Sequence, residues 1–326
     1  KNVESTLADL NKALAIDSNY APALKLMSEL YYKAKMYEKA KYYYSKYLQN
    51  SEVSLANQQR FARILFNGKE YEDALELTTD LLKQNNVDIY MYRVAGYSYF
   101  EVGESKKDTS YYRKGIAALN KFITTINPTK IISNDYEYLS KLYSRLPGND
   151  SITVYYIEKA IETAPEKNEL NREAGQIYIR IKKFDKAINS FESYLSKANR
   201  TTLVDYQLMG IAAYYGKAYT KSDSAYAKII EQKADYADGY YWRGVNNAAL
   251  DPDFKTPIAK DFFEKYVSMA ETDATKNKQK LVSAYTSLGF YYIKNDKNTI
   301  AKEYFNKILK LEPENKTAKD ILKQLK

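Results

Sequence analysis

The sequence predicts an all-α solenoid, a row of helical hairpins stacked side by side, and three observations carry that expectation. Apolar residues recur at helical spacing along nearly the whole length, with short polar breaks between the runs. Glycine and proline number only 11 and 7 in 326 residues, too few for a turn-rich β sandwich. Small residues return at a fixed period: Ala40 and Ala74, and likewise Gly210 and Gly244, stand 34 residues apart. A chain this long exceeds one compact core, and the period decides for an array of repeats rather than several unrelated domains.

In chain order, Val3 to Ile16 places Leu7, Leu10, Ala13 and Leu14 on one helical face. It reads as the second helix of a half repeat, 1–20, whose first helix precedes Lys1. Full repeats follow near 21–54, 55–88, 89–132, 133–167, 168–202, 203–236, 237–281 and 282–315, and a last helix, 316–326, serves as a polar cap. The first full repeat carries Leu24, Met27, Ser28 and Tyr31, then Tyr37, Ala40, Tyr44 and Tyr47. The third is lengthened by Gly103 to Ser110, which the sequence predicts as a surface loop. Pro147-Gly148-Asn149-Asp150 breaks the fourth between its helices. The fifth, with Ala174, Gly175 and Tyr178, then Phe184, Ala187 and Phe191, is among the most regular. A second insertion, Asp251 to Pro257, interrupts the seventh. Glu271 to Lys280 reads as a lengthened loop or a helical extension. Lys316, Lys319, Lys323 and Lys326 are expected to face outward from the last helix.

Tyr285, Leu288, Gly289 and Tyr292, followed by Ala301, Phe305 and Pro313, display the pattern most fully. It resembles the tetratricopeptide repeat, in which an aromatic, Leu-Gly and Tyr mark the first helix and Ala-x3-aromatic the second. The resemblance implies a right-handed superhelix with the first helices lining an inner groove. Carried over position by position, it points Arg63, Arg93, Tyr97, Lys141, Arg145, Arg172, Gln176 and Arg180 into a basic middle stretch. It places Tyr214, Tyr215 and Tyr241, with Trp242 adjacent, in an aromatic stretch nearer the C-terminus. Gln59, Asn67, Gln207, Ile211, Val245 and Phe290 fill the remaining groove positions. Arginine offers a planar donor fork, and Tyr and Trp offer contact area at low entropy cost, so the implied function is a scaffold for a protein or peptide partner with an acidic segment. The family's chaperone-tail clamp is not matched, since the corresponding pairs read Lys25 with Glu29, Gln59 with Arg63 and Arg93 with Tyr97.

Composition narrows the function classes. The chain contains no His and no Cys, which removes imidazole and thiolate catalysis, disulfides, and metal sites built on those ligands. No phosphate-binding glycine motif occurs. The expectation is therefore a protein that is not an enzyme and carries no cofactor or metal. Fifty basic against 41 acidic residues leave a net charge of +9, diluted over a long surface. Polyanion or RNA binding is the alternative, and a glycan-binding accessory protein of the outer membrane is a third reading. The Lys, Asn and Tyr richness resembles a mature envelope protein of an AT-rich Gram-negative bacterium, which implies the periplasm or outer membrane, with the cytoplasm as the other compartment considered.

Overall fold

The computed structural model describes residues 3–325, and its described residues form helices without strands. Helix α1 (Val3–Ile16) stands alone. Eight pairs follow: α2 (Ala21–Lys33) with α3 (Tyr37–Gln49), α4 (Leu55–Asn67) with α5 (Tyr71–Leu81), α6 (Tyr90–Lys106) with α7 (Thr109–Thr125), and α8 (Ser133–Ser144) with α9 (Asp150–Thr163). Then come α10 (Glu169–Arg180) with α11 (Phe184–Lys197), α12 (Leu203–Tyr215) with α13 (Tyr219–Gln232), α14 (Ala237–Leu250) with α15 (Ile258–Ala270), and α16 (Lys278–Lys294) with α17 (Asn298–Leu311). Helix α18 (Lys316–Gln324) ends the row. The helices fall into two compact units that divide after Glu166.

In each unit the core runs between the helices rather than around one centre, because no single hairpin can bury its own apolar stripe. In the N-terminal unit Leu24, Ala40, Tyr44, Tyr47 and Ile64 form one such layer, and Leu119, Leu139, Leu142 and Tyr156 belong to another. In the C-terminal unit the layer formed by Ala259, Phe263, Tyr266, Leu281, Leu288, Ala301, Phe305 and Ile308 extends to Ala318 of α18.

The glycines of the pattern are close-approach positions. A Cβ on Gly289 would lie 2.6 Å from Phe305 Cε2, and one on Gly210 would lie 2.6 Å from Tyr226 Cε2. Alanine normally strengthens a helix interior by about 1 kcal/mol over glycine. Here the sign reverses: Gly289→Ala is expected to cost about 1–3 kcal/mol through overpacking. Urea unfolding would show this as a lowered midpoint with unchanged slope, and a raised midpoint would mean that the Phe305 ring yields freely.

The predicted loop at Gly103 to Ser110 is corrected by the structure. Helix α6 continues through Gly103 to Lys106, only Lys107 and Asp108 form the turn, and α7 starts at Thr109. Gly103 is buried, and a Cβ there would lie 2.7 Å from Tyr112 Cε1. The extra residues thus lengthen both helices, which keep packing on each other. The Asp251 to Pro257 insertion does separate α14 from α15, and Glu271–Asp273 forms a short 3-10 turn before α16. On α1, Leu7, Leu10, Ala13 and Leu14 are half-buried. On α18, Lys316 and Lys323 are exposed, while Lys319 is half-buried and pairs with Glu314 at 2.8 Å. Lys1 and Lys326 lie outside the described residues.

Candidate functional site

The N-terminal unit holds a cleft of about 510 Å³ formed by the first helices of its successive hairpins, α2, α4 and α6, and by the segment leading into α8. Helical spacing brings Arg63, Phe66 and Asn67 to one side of α4, and Tyr90, Arg93, Val94 and Tyr97 to one side of α6. Ile132, just before α8, also lines the cleft and is 46% exposed.

The charges of this cleft are already matched. The Arg63 guanidinium meets Asp88 at 2.5 Å. Arg93 donates from Nε and Nη2 to the two carboxylate oxygens of Asp135, each at 2.7 Å, and from Nη2 to the Lys130 carbonyl at 2.9 Å. The same guanidinium lies 4.4 Å from the Phe122 ring centroid. Asp135 is fully buried, and it also accepts Tyr97 Oη–H at 2.6 Å and the Ile132 amide at 2.8 Å. Its two oxygens therefore accept four hydrogen bonds, which is how a buried carboxylate stays tolerable.

Tyr97 is buried and stacks on Tyr138 at 4.0 Å with the rings 14° apart. Burial, reinforced by the Asp135 charge, pushes its phenol far above the ordinary tyrosine range. Phe66, Val94, Tyr97 and Ile132 make the apolar part of the lining, with two ion pairs and the Asn67-to-Tyr32 hydrogen bond of 2.7 Å at its rim.

No protein-family model and no curated protein matches the sequence. Solved structures do. The C-terminal part of a TPR repeat-containing protein from Cytophaga hutchinsonii aligns over 80% of this chain and 98% of its own, at 28% identity and a TM-score of 0.62. The chain has the tetratricopeptide-repeat fold. MamA aligns over 56% of this chain and 92% of its own at 22% identity and a TM-score of 0.45. YrrB, described as a TPR protein with an unusual peptide-binding site, aligns over 70% of this chain and 100% of its own at 15% identity and a TM-score of 0.44.

Within the TPR frame, the structure gathers Arg63, Arg93 and Tyr97 at the cleft and distributes the other predicted residues elsewhere. Lys141 and Arg145 lie on α8 of the same unit, where Lys141 contacts Glu137 at 2.5 Å and Arg145 grips both oxygens of Glu104 at 2.7 Å. The Arg145 hydrogen bond is the main reason that the Glu104 carboxyl lies below its usual range, and Tyr112 adds to it. In the C-terminal unit, Arg172 meets Asp205 at 2.5 Å, while Gln176 and Arg180 are exposed on α10. Asp205 is buried and also accepts the amide and the hydroxyl of Thr202, each at 2.8 Å. Burial opposes its ionisation, but the Arg172 and Thr202 hydrogen bonds outweigh burial and hold its carboxyl below the usual range.

Tyr214, Tyr215, Tyr241 and Trp242 form a ring cluster in that unit. Trp242 lies 4.9 Å from Tyr214, 5.5 Å from Tyr241 and 5.7 Å from Tyr226 between centroids. Tyr215 is the most open of the four, at 57%.

Sequence reasoning selected the arginines and missed the acids that hold them. Asp135 and Asp205 each sit three residues after the residue that precedes a first helix, and each accepts that residue's amide. For Thr202-Leu-Val-Asp205 the capping-box spacing was a readable signal. The other half of the signal is an arginine about one repeat earlier, 33 residues for Arg172 and 42 for Arg93, where the lengthened third repeat adds the difference.

Proposed function

We propose that this TPR protein is a non-catalytic binding scaffold whose N-terminal cleft takes an apolar or aromatic side chain from an extended segment of a protein partner. The observation that carries this reading is the combination of an apolar lining at Phe66, Val94, Tyr97 and Ile132 with arginines already ion-paired to Asp88 and Asp135. A partner carboxylate at Arg93 would have to compete with a buried, bidentate ion pair, so affinity there comes from the anchor and acidity contributes less. Arg63, whose pair with Asp88 is about one-third exposed, can share a partner carboxylate at the rim. Lys141 and Arg145, on α8 of the same unit, would widen this contact, and Arg172, Gln176, Arg180, Tyr214, Tyr241 and Trp242 would give the C-terminal unit a partner-binding face of its own.

Paired arginines also favour this reading over a polyanion or RNA groove, which needs donors free to meet successive phosphates. No helix among the described residues is long and apolar enough to cross a membrane. The envelope setting we infer rests on the Lys, Asn and Tyr richness alone.

Selection of random displayed peptides on the wild type tests the proposal. Enriched peptides should share an aromatic or large aliphatic anchor and bind with little salt dependence. Ile132→Arg, at an exposed side chain of the lining, should plug the cleft and weaken them about tenfold or more while leaving the circular dichroism unchanged. Equal binding to both proteins would remove the cleft from the reading.

A further inference from the structure

Two recesses on the turn edges of the repeats are built from equivalent residues, one in each unit. In the N-terminal unit Lys35-Met36-Tyr37-Glu38-Lys39, at the α2–α3 turn, faces Asn67-Gly68-Lys69 at the α4–α5 turn across about 420 Å³. In the C-terminal unit Lys182-Lys183-Phe184-Asp185-Lys186 faces Tyr215-Gly216-Lys217 across about 570 Å³. Lys35, Lys69, Lys182 and Lys217 all adopt left-handed backbone, with φ between 58° and 66°. The turn geometry is therefore the same in both places. Gly216 packs on Phe184, where an added Cβ would meet the Phe184 Cβ methylene at 3.2 Å, and Gly68 packs on the Tyr37 Cβ in the same way at 3.6 Å.

The C-terminal recess has the stronger character. Four lysines, Lys182, Lys183, Lys186 and Lys217, border it against one carboxylate, Asp185. Lys182, Lys183 and Lys217 are exposed and make no salt bridge among the described residues, unlike the arginines of the first-helix face. Phe184 and Tyr215 stack at 5.6 Å with their planes 23° apart, and Tyr215 is 57% exposed. Uncompensated cations beside an open aromatic surface and a hollow large enough for a side chain are the parts of a peptide subsite.

We propose that this recess binds an acidic peptide segment of a partner protein, one that carries Asp or Glu on either side of an aromatic residue. The lysines would meet the carboxylates, and the aromatic side chain would enter against Tyr215. Asp185 decides between the anionic classes. It can accept a hydrogen bond from a peptide backbone N–H, whereas phosphodiesters bring only acceptors and would be repelled by it. The smaller N-terminal recess repeats the arrangement with Glu38 in that role.

The probe is a short fluorescein-labelled peptide of Glu and Asp around one Phe, followed by anisotropy on the full chain. Lys182→Asn combined with Lys217→Asn removes two cations while keeping a residue type that tolerates left-handed backbone, so the turns are preserved. The double variant should retain its circular dichroism and weaken binding about tenfold, and added salt should weaken the wild type. Lys265→Asn, on the exposed side of α15, should change nothing. Tyr215→Ala should weaken the Phe peptide and leave a version with Ala in place of Phe unaffected. Unchanged affinity in the double variant would overturn the proposal. So would tighter binding of phosphatidylglycerol vesicles or a single-stranded oligonucleotide that the same variant abolishes. Ile132→Arg should leave this interaction intact, which separates its failure from that of the cleft reading.

Discussion

Replacing Asp135 by alanine is expected to destabilise the N-terminal unit by about 3–5 kcal/mol, the scale for removing one member of a buried ion pair. The size follows from what is left behind. Arg93, whose side chain is 16% exposed, loses two short charge-assisted bonds, the buried Tyr97 hydroxyl loses its acceptor, and the Ile132 amide loses the bond that starts α8. Only the Lys130 carbonyl would still receive Arg93. Arg93→Met together with Asp135→Leu should recover a large part of the loss, because an apolar pair leaves no orphaned charge. Urea unfolding with hydrogen exchange resolved over α6 to α8 would measure both. A loss below about 1 kcal/mol for Asp135→Ala would show that water enters and satisfies Arg93 and Tyr97.

In the C-terminal unit, Asp205→Asn should cost about 2 kcal/mol at neutral pH, since hydrogen bonds to a charged group contribute roughly 1.5–3 kcal/mol. This cost has a pH signature. The folded-state pKa of Asp205 is depressed, so its contribution is present above the unfolded value of about 3.9 and is lost as pH falls through the lower folded value. The wild type should therefore lead the variant at pH 7, and the gap should close only below about pH 4. Glu104 and Glu271, both also lowered, add to the acid sensitivity of the wild type and remain in the variant. A gap that stayed constant through the acid limb would mean that the lost contribution is packing and capping geometry, not charge.

The sequence by itself determined the repeat architecture. Spacing such as Gly289 with Phe305 is a local statement about shape, and the Gly148 turn is a local statement about backbone, so both were legible one hairpin at a time. The same held for the arginines, which a one-dimensional pattern could assign to first-helix faces. What those arginines do depends on residues one repeat away. Asp135 and Asp205 look like ordinary first-turn acids in sequence, and only packing buries them and turns each toward an arginine of the preceding repeat. The stretch from Gly103 to Ser110 shows the same limit, because helix and loop were both compatible with its composition and the Tyr112 ring lying on Gly103 selected helix. Tertiary structure decided which charges remained open to solvent: burial makes an unpaired ion costly, so the first-helix arginines found carboxylates, and the exposed turn lysines had no such penalty to relieve.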